Sequence, residues 1–460
     1  MLINLNIVTL NIYYMILIKR YILLSLFLFL SGCGYIGVKT DNKLVADLSK
    51  KYQEEQLAKE KEDQYIQKFS LWYKSFNNQE LDNLISTALA NNLDINKAIY
   101  SLQAAAYQLG TQRQALFPTL SANMQGSHQE YSKQASNFLG VGKQDDIASI
   151  GLASSYEIDI WGKNHSAYQS AKTKLKASSY DLDSANIATV ASMMNLWVNL
   201  MTLREEKEIL EGELNDSKNL LELQRSNYVT GSVNVTDLLQ QENQVLVIEN
   251  KLKNIKFGEA ETLRSINILI GEEPLNKLVI TSKSLPKLNT LPSKDLNILV
   301  LAERPDVRKA FYNMVASEWD IKVANLSRLP SFSIEPEIHF GGNSINTLLN
   351  NWLLKVVLNG TMPLFSAGML YDKEQAAKAL NKASVIEYKK VVFGAINEFK
   401  GALDNEAKYQ EGIDNLNKQI KLLIETEEQL QNKYLNGNAS YIEVLTISKQ
   451  TNEIKLSIIE

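Results

Sequence analysis

Apolar residues recur along this chain with two different periods. Ile150, Leu152, Ser154, Tyr156, Ile158 and Ile160 alternate with Ser149, Gly151, Ala153, Ser155, Glu157 and Asp159. Phe332, Ile334, Pro336, Ile338 and Phe340 alternate with Ser331, Ser333, Glu335, Glu337 and His339. A weaker alternation sets Trp352, Leu354, Val356 and Leu358 against Leu353, Lys355, Val357 and Asn359. Period two predicts strands with one apolar and one polar face. Such a face arises between lipid and water, and equally in a half-buried soluble sheet. Trp161, Trp352 and Phe365 near the strand ends favour lipid, as interfacial aromatics do. Pro336 speaks against a strand, because proline removes a ladder hydrogen bond.

Elsewhere the period is helical. Lys163 to Tyr228 is a stretch of about 66 residues, roughly 100 Å long at ~1.5 Å per residue. Within it Leu203, Leu210, Leu214 and Leu221 are spaced 7, 4 and 7. Val245, Ile248, Leu252 and Ile255 are spaced 3, 4 and 3, as are Ile413, Leu416, Ile420 and Leu423, with Leu430 seven further on. These are coiled-coil seams, whose plain reading is structural. Gly231 and Gly437 sit where a chain reversing between antiparallel helices needs positive φ. Further helices are predicted over Gln79–Leu116 and Ser293–Leu329, stopped by Pro118 and Pro330. Only 8 prolines and 21 glycines interrupt the chain, which suits long helices.

The chain repeats itself. Asn92-Leu93-Asp94-Ile95 with Ala98 matches Arg304-Pro305-Asp306-Val307 with Ala310, an offset of 212. Leu116-Phe117-Pro118-Thr119-Leu120 matches Arg328-Leu329-Pro330-Ser331-Phe332 at the same offset. Ala177-Ser178 matches Ala383-Ser384 at 206, as Tyr228-Val229-Thr230-Gly231 matches Tyr434-Leu435-Asn436-Gly437 and Asp237-Leu238-Leu239 matches Glu443-Val444-Leu445. The change from 212 to 206 places a six-residue deficit between Pro330 and Ala383. A period near 210 is too long for a solenoid and indicates duplication of a whole unit. The predicted units are residues 78–290 and 291–460, each a helix, a β-hairpin and a long helix pair. From Asp237 to Gly271 is 34 residues but from Glu443 to Glu460 only 17, so the repeat predicts a last helix running beyond Glu460.

Composition narrows the setting. Cys33 is the only cysteine, and it follows Leu30-Ser31-Gly32, an apolar run from Tyr21 and the basic pair Lys19-Arg20. This reads as a lipoprotein signal over residues 1–32, with the Cys33 thiol acylated and a lipid-anchored tail over 33–77. A plain secretory signal is the alternative, and Met15 is an alternative start. From Cys33 onward 428 residues remain (460 minus 32), enough for two domains or one elongated architecture. A net charge of −4 gives no nucleic-acid footprint. Beyond the signal no apolar run reaches the ~18 residues of a membrane helix, so a membrane could be crossed only as a closed β-barrel. No enzyme is expected. His128, His165 and His339 are not spaced as metal ligands, no phosphate loop occurs, and no cofactor is implied. Glu303-Arg304-Pro305-Asp306 reads as helix capping.

Two strands per unit give four per chain. Known small barrels start at about 8 strands, so several chains must combine. Long helices joined directly to the strands would continue such a barrel as a tube. The chain resembles the TolC-like outer-membrane efflux factors, in the lipoprotein branch serving resistance–nodulation–division (RND) pumps. The resemblance rests on Leu30-Ser31-Gly32-Cys33, Ser155-Tyr156-Glu157-Ile158-Asp159-Ile160-Trp161-Gly162-Lys163, Gly271-Glu272-Glu273-Pro274, Glu303-Arg304-Pro305-Asp306-Val307, Met362-Pro363-Leu364-Phe365-Ser366-Ala367-Gly368 and Tyr434-Leu435-Asn436-Gly437-Asn438-Ala439-Ser440-Tyr441. It implies a mainly α chain with a transmembrane β-barrel: a homotrimer of twelve strands and a twelve-helix coiled-coil tunnel in the outer membrane, extending into the periplasm. It implies a periplasmic adaptor and an inner-membrane RND pump as partners, and drugs, metals or other small toxic compounds as cargo.

The resemblance also implies a gate at the helix turns. Asp237 on one tip and Tyr434 on the neighbouring tip stand where relatives hydrogen-bond to hold the pore shut. Glu443 stands where relatives place an acidic ring, whose carboxylates would repel, favour cations and raise their own pKa. Asp237 and Glu443 read equally well as ordinary acids in the first turn of a helix. Thr446 and Ala439 depart from the family, standing where relatives often carry an aspartate and an arginine. Two other functions stay open: a type I secretion outlet, and a periplasmic coiled-coil scaffold lipoprotein without a pore.

Overall fold

Capping side chains decide where the first helices begin. Asn78 Oδ1 accepts the Leu81 amide at 2.9 Å and starts α1 (Gln79–Asn91). Asn92 then ends α1 and caps α2 (Leu93–Gln114): its Oδ1 accepts the Asp94 and Ile95 amides at 2.9 and 3.1 Å. Its Nδ2 donates to the Leu269 carbonyl at 2.9 Å. The single helix expected over residues 79–116 is therefore two, because a buried asparagine turned toward its own backbone competes with helix propagation. In the second half, a 3-10 turn (Ile298–Glu303) precedes α5 (Pro305–Leu326), which starts with proline in its first turn. That start corrects the one expected at Ser293. Asp306 lies in the first turn, where it accepts the Val307 amide at 2.9 Å and pairs with Arg304 at 2.8 Å, while the N-cap position, Arg304, makes no side-chain capping bond.

The structure is a computed structural model, and it describes residues 72–134, 138, 144–285, 298–342, 347–349 and 351–460. Leu30, Ser31, Gly32, Cys33, most of the predicted tail and the boundary expected at residue 290 lie outside the described residues. After α2 come β1 (Thr119–Glu130), β2 (Gln144–Ile158), α3 (Lys163–Val229) and α4 (Val235–Leu269). After α5 come β3 (Ser331–Gly342), β4 (Trp352–Thr361), α6 (Met369–Leu435) and α7 (Tyr441–Ile459). Both α3 and α6 are 67 residues long, about 100 Å each. The same elements thus occur twice in the same order. Two differences remove nine residues: β4 has five fewer than β2, and its hairpin connection (343–351) four fewer than 131–143. The link into α6 (362–368) restores three relative to 159–162, leaving six.

The strands form one antiparallel sheet in the order β1-β2-β3-β4. Register aligns the apolar residues into a continuous face. Met124 stands opposite Ile150, Ile150 opposite Phe340, and Phe340 opposite Trp352. One step along, Leu152 faces Ile338 and Ile338 faces Leu354. The other face carries Gly151 opposite Asn123 and His339, Glu157 opposite Ser333, and Glu337 opposite Lys355. Pro336 does sit within β3, where the β2–β3 ladder skips Ser154 and Ser155 against it and Glu335, while its pairing with Val356 persists. The missing proline donor is thereby confined to the β2 side. The predicted alternation overruns by two residues: β2 ends at Ile158, and Asp159 accepts the Asn164 and His165 amides at 3.1 and 2.8 Å to cap α3.

The main core lies where α1 crosses α3 and α4. Leu81, Ile85, Met193, Trp197, Leu200 and Ile266 are fully buried there. The segment after α4 is strapped over this core by charged side chains. Glu80 accepts the Thr281 and Ser282 amides at 2.7 and 2.9 Å and both hydroxyls, and Glu205 accepts the Leu285 amide at 2.7 Å. Arg204 donates to the Ile280 carbonyl at 3.0 Å and pairs with Glu259 at 2.9 Å.

Burial pushes the Glu80 carboxyl up, but the hydrogen bonds from Ser282 and Thr281 outweigh it and hold it below its ordinary value. A lowered carboxyl contributes stability that is present above its ordinary 4.5 and is lost as pH falls through the lower folded value. Glu80→Gln should therefore cost about 1 kcal/mol at neutral pH after allowance for screening. The deficit relative to wild type should close below pH 4.5, which denaturant titrations at neutral and acid pH will check.

Candidate functional site at the helix turns

The two helix turns are built alike, 206 residues apart. Gly231 and Gly437 have φ of 74° and 76°, the left-handed conformation expected of them. Gly231 N donates to the Tyr228 carbonyl at 3.0 Å and Ser232 N to Asn227 at 2.8 Å. Gly437 N donates to Tyr434 at 2.9 Å and Asn438 N to Lys433 at 2.8 Å. Both are Schellman closures, which satisfy the last carbonyls of α3 and α6. Asn234 and Ser440 then stand at equivalent N-cap positions of α4 and α7.

Glu443 closes a capping box. Its Oε2 accepts the Ser440 amide at 2.7 Å and hydroxyl at 2.8 Å, while Ser440 Oγ accepts the Glu443 amide at 3.3 Å. The Ser440 amide and hydroxyl hold its carboxyl below the usual range, aided by Lys433. Within one chain the first-turn reading of Glu443 thus accounts for its contacts and for the direction of its shift. Asp237 holds the equivalent position in α4, where its amide donates to the Asn234 carbonyl at 3.2 Å. Tyr434 Oη accepts from Gln224 Nε2 at 3.4 Å, and among the described residues of one chain no hydrogen bond joins it to Asp237.

Four residues at these turns were not singled out from the sequence. Gln241 Nε2 donates to the Ser217 carbonyl at 2.6 Å and to its hydroxyl at 2.8 Å. The Tyr441 hydroxyl donates to Gln241 Oε1. The Tyr441 and Tyr434 rings lie 6.2 Å apart. Gln224 and Gln241 are fully buried and Tyr441 is 4% exposed. Burial first, then Tyr434 and Asp237, raises the Tyr441 hydroxyl far above its ordinary range, so it remains a donor. The missed signal is positional. Ser217 and Gln224 extend the seam of Leu210, Leu214 and Leu221, and Gln241 lies four residues before Val245. Polar side chains there occupy core positions of the coiled coil.

The remaining candidates are spread apart. His128 is on β1, His165 in the first turn of α3 and His339 on β3, where its Nδ1 lies 3.3 Å from Glu337 Oε1. Among the described residues no group of three His, Cys, Asp or Glu is placed to hold a metal, and no helix is long and apolar enough to cross a membrane. Trp161 is half-exposed and donates its indole N–H to the Pro330 carbonyl at 2.7 Å, and Phe365 is 90% exposed.

This arrangement of one four-stranded sheet and two 67-residue helices is shared with solved outer membrane channels. The Campylobacter jejuni CmeC outer membrane channel superposes with a TM-score of 0.78 at 22% identity, over 85% of this chain and 84% of that one. The Vibrio cholerae outer membrane protein VceC superposes with 0.77 at 19% identity, over 84% and 93%. The family model described as outer membrane efflux protein matches residues 84–266. The pyoverdine export outer membrane protein OpmQ of Pseudomonas aeruginosa is 26% identical over 434 residues, 92% of this chain and 87% of its own length. The cation efflux system protein CusC of Escherichia coli is 24% identical over 386 residues, 81% of each. The chain is thus similar to outer membrane efflux proteins, by the family model over residues 84–266 and by these relatives over most of its length.

The left-handed turn gives a direct test. Gly437→Ala places a Cβ at φ 76°, a strain of roughly 1–2 kcal/mol. Amide exchange at Gly437 and Asn438 should speed by about tenfold, with the amides of α1 unchanged.

Proposed function

We propose that this chain is the outer-membrane channel of a tripartite efflux system, a passive conduit that carries small toxic compounds from a pump and its adaptor to the exterior. One observation carries the reading: the sheet has a continuous apolar face and two edges, β1 and β4, with no neighbouring strand among the described residues. Met124 and Leu358 on that face are 82% and 70% exposed. Unpaired strand edges cannot stand in lipid, where each unsatisfied amide or carbonyl costs several kcal/mol. Placing β4 of one copy beside β1 of the next removes every edge, and three copies give twelve strands. The polar face, with Glu157, Glu337 and Lys355, then lines water.

The helices support the same assembly. Along α6 the seam residues Leu416, Ile420 and Leu423 are only half-buried within the chain, and Ile413 is 43% exposed. A neighbouring copy would cover them and extend the barrel as a tunnel about 100 Å long. The turns at Gly231 and Gly437 are its periplasmic end, facing the adaptor and an inner-membrane RND pump. Asp237, Tyr434 and Glu443 belong to the gate there. Acylated Cys33 anchors the assembly in lipid.

Two measurements test the reading. Detergent-extracted protein should run as a trimer and conduct ions in a planar bilayer. A monomer without conductance would instead favour a pore-free scaffold. Radioactive palmitate should label the mature protein, and Cys33→Ser should abolish the label. Labelling of that variant would overturn the anchor.

A further inference from the structure

We infer that Ser217, Gln241 and Tyr441 form a polar latch holding the second helix hairpin against the first at the turn end, and that releasing it sets how readily the tunnel opens. The inference rests on the channel reading above and names positioning residues for its gate.

The turn end differs chemically from the rest of the hairpin contact. Further up, Leu210, Ile248 and Leu252 form a small apolar core with Leu456 of α7 packed on it. Toward the turns the same heptad rows carry Ser217, Gln224 and Gln241, and the opposing rows carry Tyr434 and Tyr441. Leucines at these positions would weld the hairpins together by burial alone. A hydrogen-bonded layer contributes much less net stability, yet demands one geometry. It can therefore break without exposing a large apolar surface.

The two polar contacts are not equivalent. Gln241 uses both ends of its amide, donating twice to Ser217 on α3 and accepting from Tyr441 on α7. It ties three helices through one buried side chain. Gln224 is just as buried, but among the described residues its Oε1 has no partner, and its bond to Tyr434 is long at 3.4 Å. A half-satisfied buried amide weakens the contact it belongs to. The α3–α6 contact is thus poised to part, and the Gln241–Tyr441 bond holds the hairpins together until it does.

Tyr441→Phe removes one hydroxyl and keeps the ring. In trimers of unchanged melting temperature, it should raise single-channel open probability at least about fivefold, the shift expected for one lost hydrogen bond. Ser217→Ala, which leaves the tyrosine in place, should act in the same direction by about twofold. The double variant Gln241→Leu/Tyr441→Phe replaces both partners by apolar groups. It should restore wild-type closure or exceed it, a non-additivity that general destabilisation would not produce. Folded Tyr441→Phe trimers that open no more often than wild type overturn the latch while leaving the channel reading intact. A double variant as leaky as the single one overturns it too. Absence of current from wild type and every variant sinks the channel reading and the latch with it.

Discussion

The backbone amides along the outer sides of β1 and β4 constrain everything else in this molecule. A strand in water can leave one side to solvent, but a strand with an apolar face and a bare edge has no stable place in lipid. The register makes that face continuous from Met124 through Ile150 and Phe340 to Trp352. On the channel reading the sheet needs further strands, and another copy supplies strands of matching alternation. Once copies must close a cylinder, the two long helices of each chain are carried into a ring as well.

The second constraint is the strength of the helix contacts at different heights. Near the strands, hydrogen bonds and ion pairs tie the elements together: Ser170 and Lys174 reach Asp320 at 2.6 and 2.8 Å, and Arg328 and Lys378 share the nearly buried Glu374. At mid-height the core around Trp197 and the Glu80 strap fix α1 and the segment after α4 against α3. At the turns Ser217, Gln224 and Gln241 occupy the core rows.

Much of this was legible in the sequence because it depends on periods and on glycine. The strands at Ile150 and Ile338, the helix from Lys163 and the turns at Gly231 and Gly437 all follow from local spacing and backbone sterics. What escaped was decided by partners far along the chain. Asn92 breaks a helix because it also binds the Leu269 carbonyl, 177 residues away. Pro336 is tolerated because only one neighbouring ladder yields to it. The heptads at Leu210 and Val245 were read for their leucines and valines, so Ser217 and Gln241 on the same rows went unremarked. Asp237 and Tyr434 were paired by analogy, whereas within one chain Gln224 is the residue that reaches Tyr434.

The unequal hairpins have a consequence for the two mouths of the cylinder. The helical end comes from two equal 67-residue helices with matched turns, so three chains would there present six near-identical corners. At the opposite rim β4 and its connection are shorter than β2 and its own, so tall and low hairpins would alternate like battlements. On the channel reading, pseudo-sixfold symmetry would be kept at the helical end and broken at the strand end.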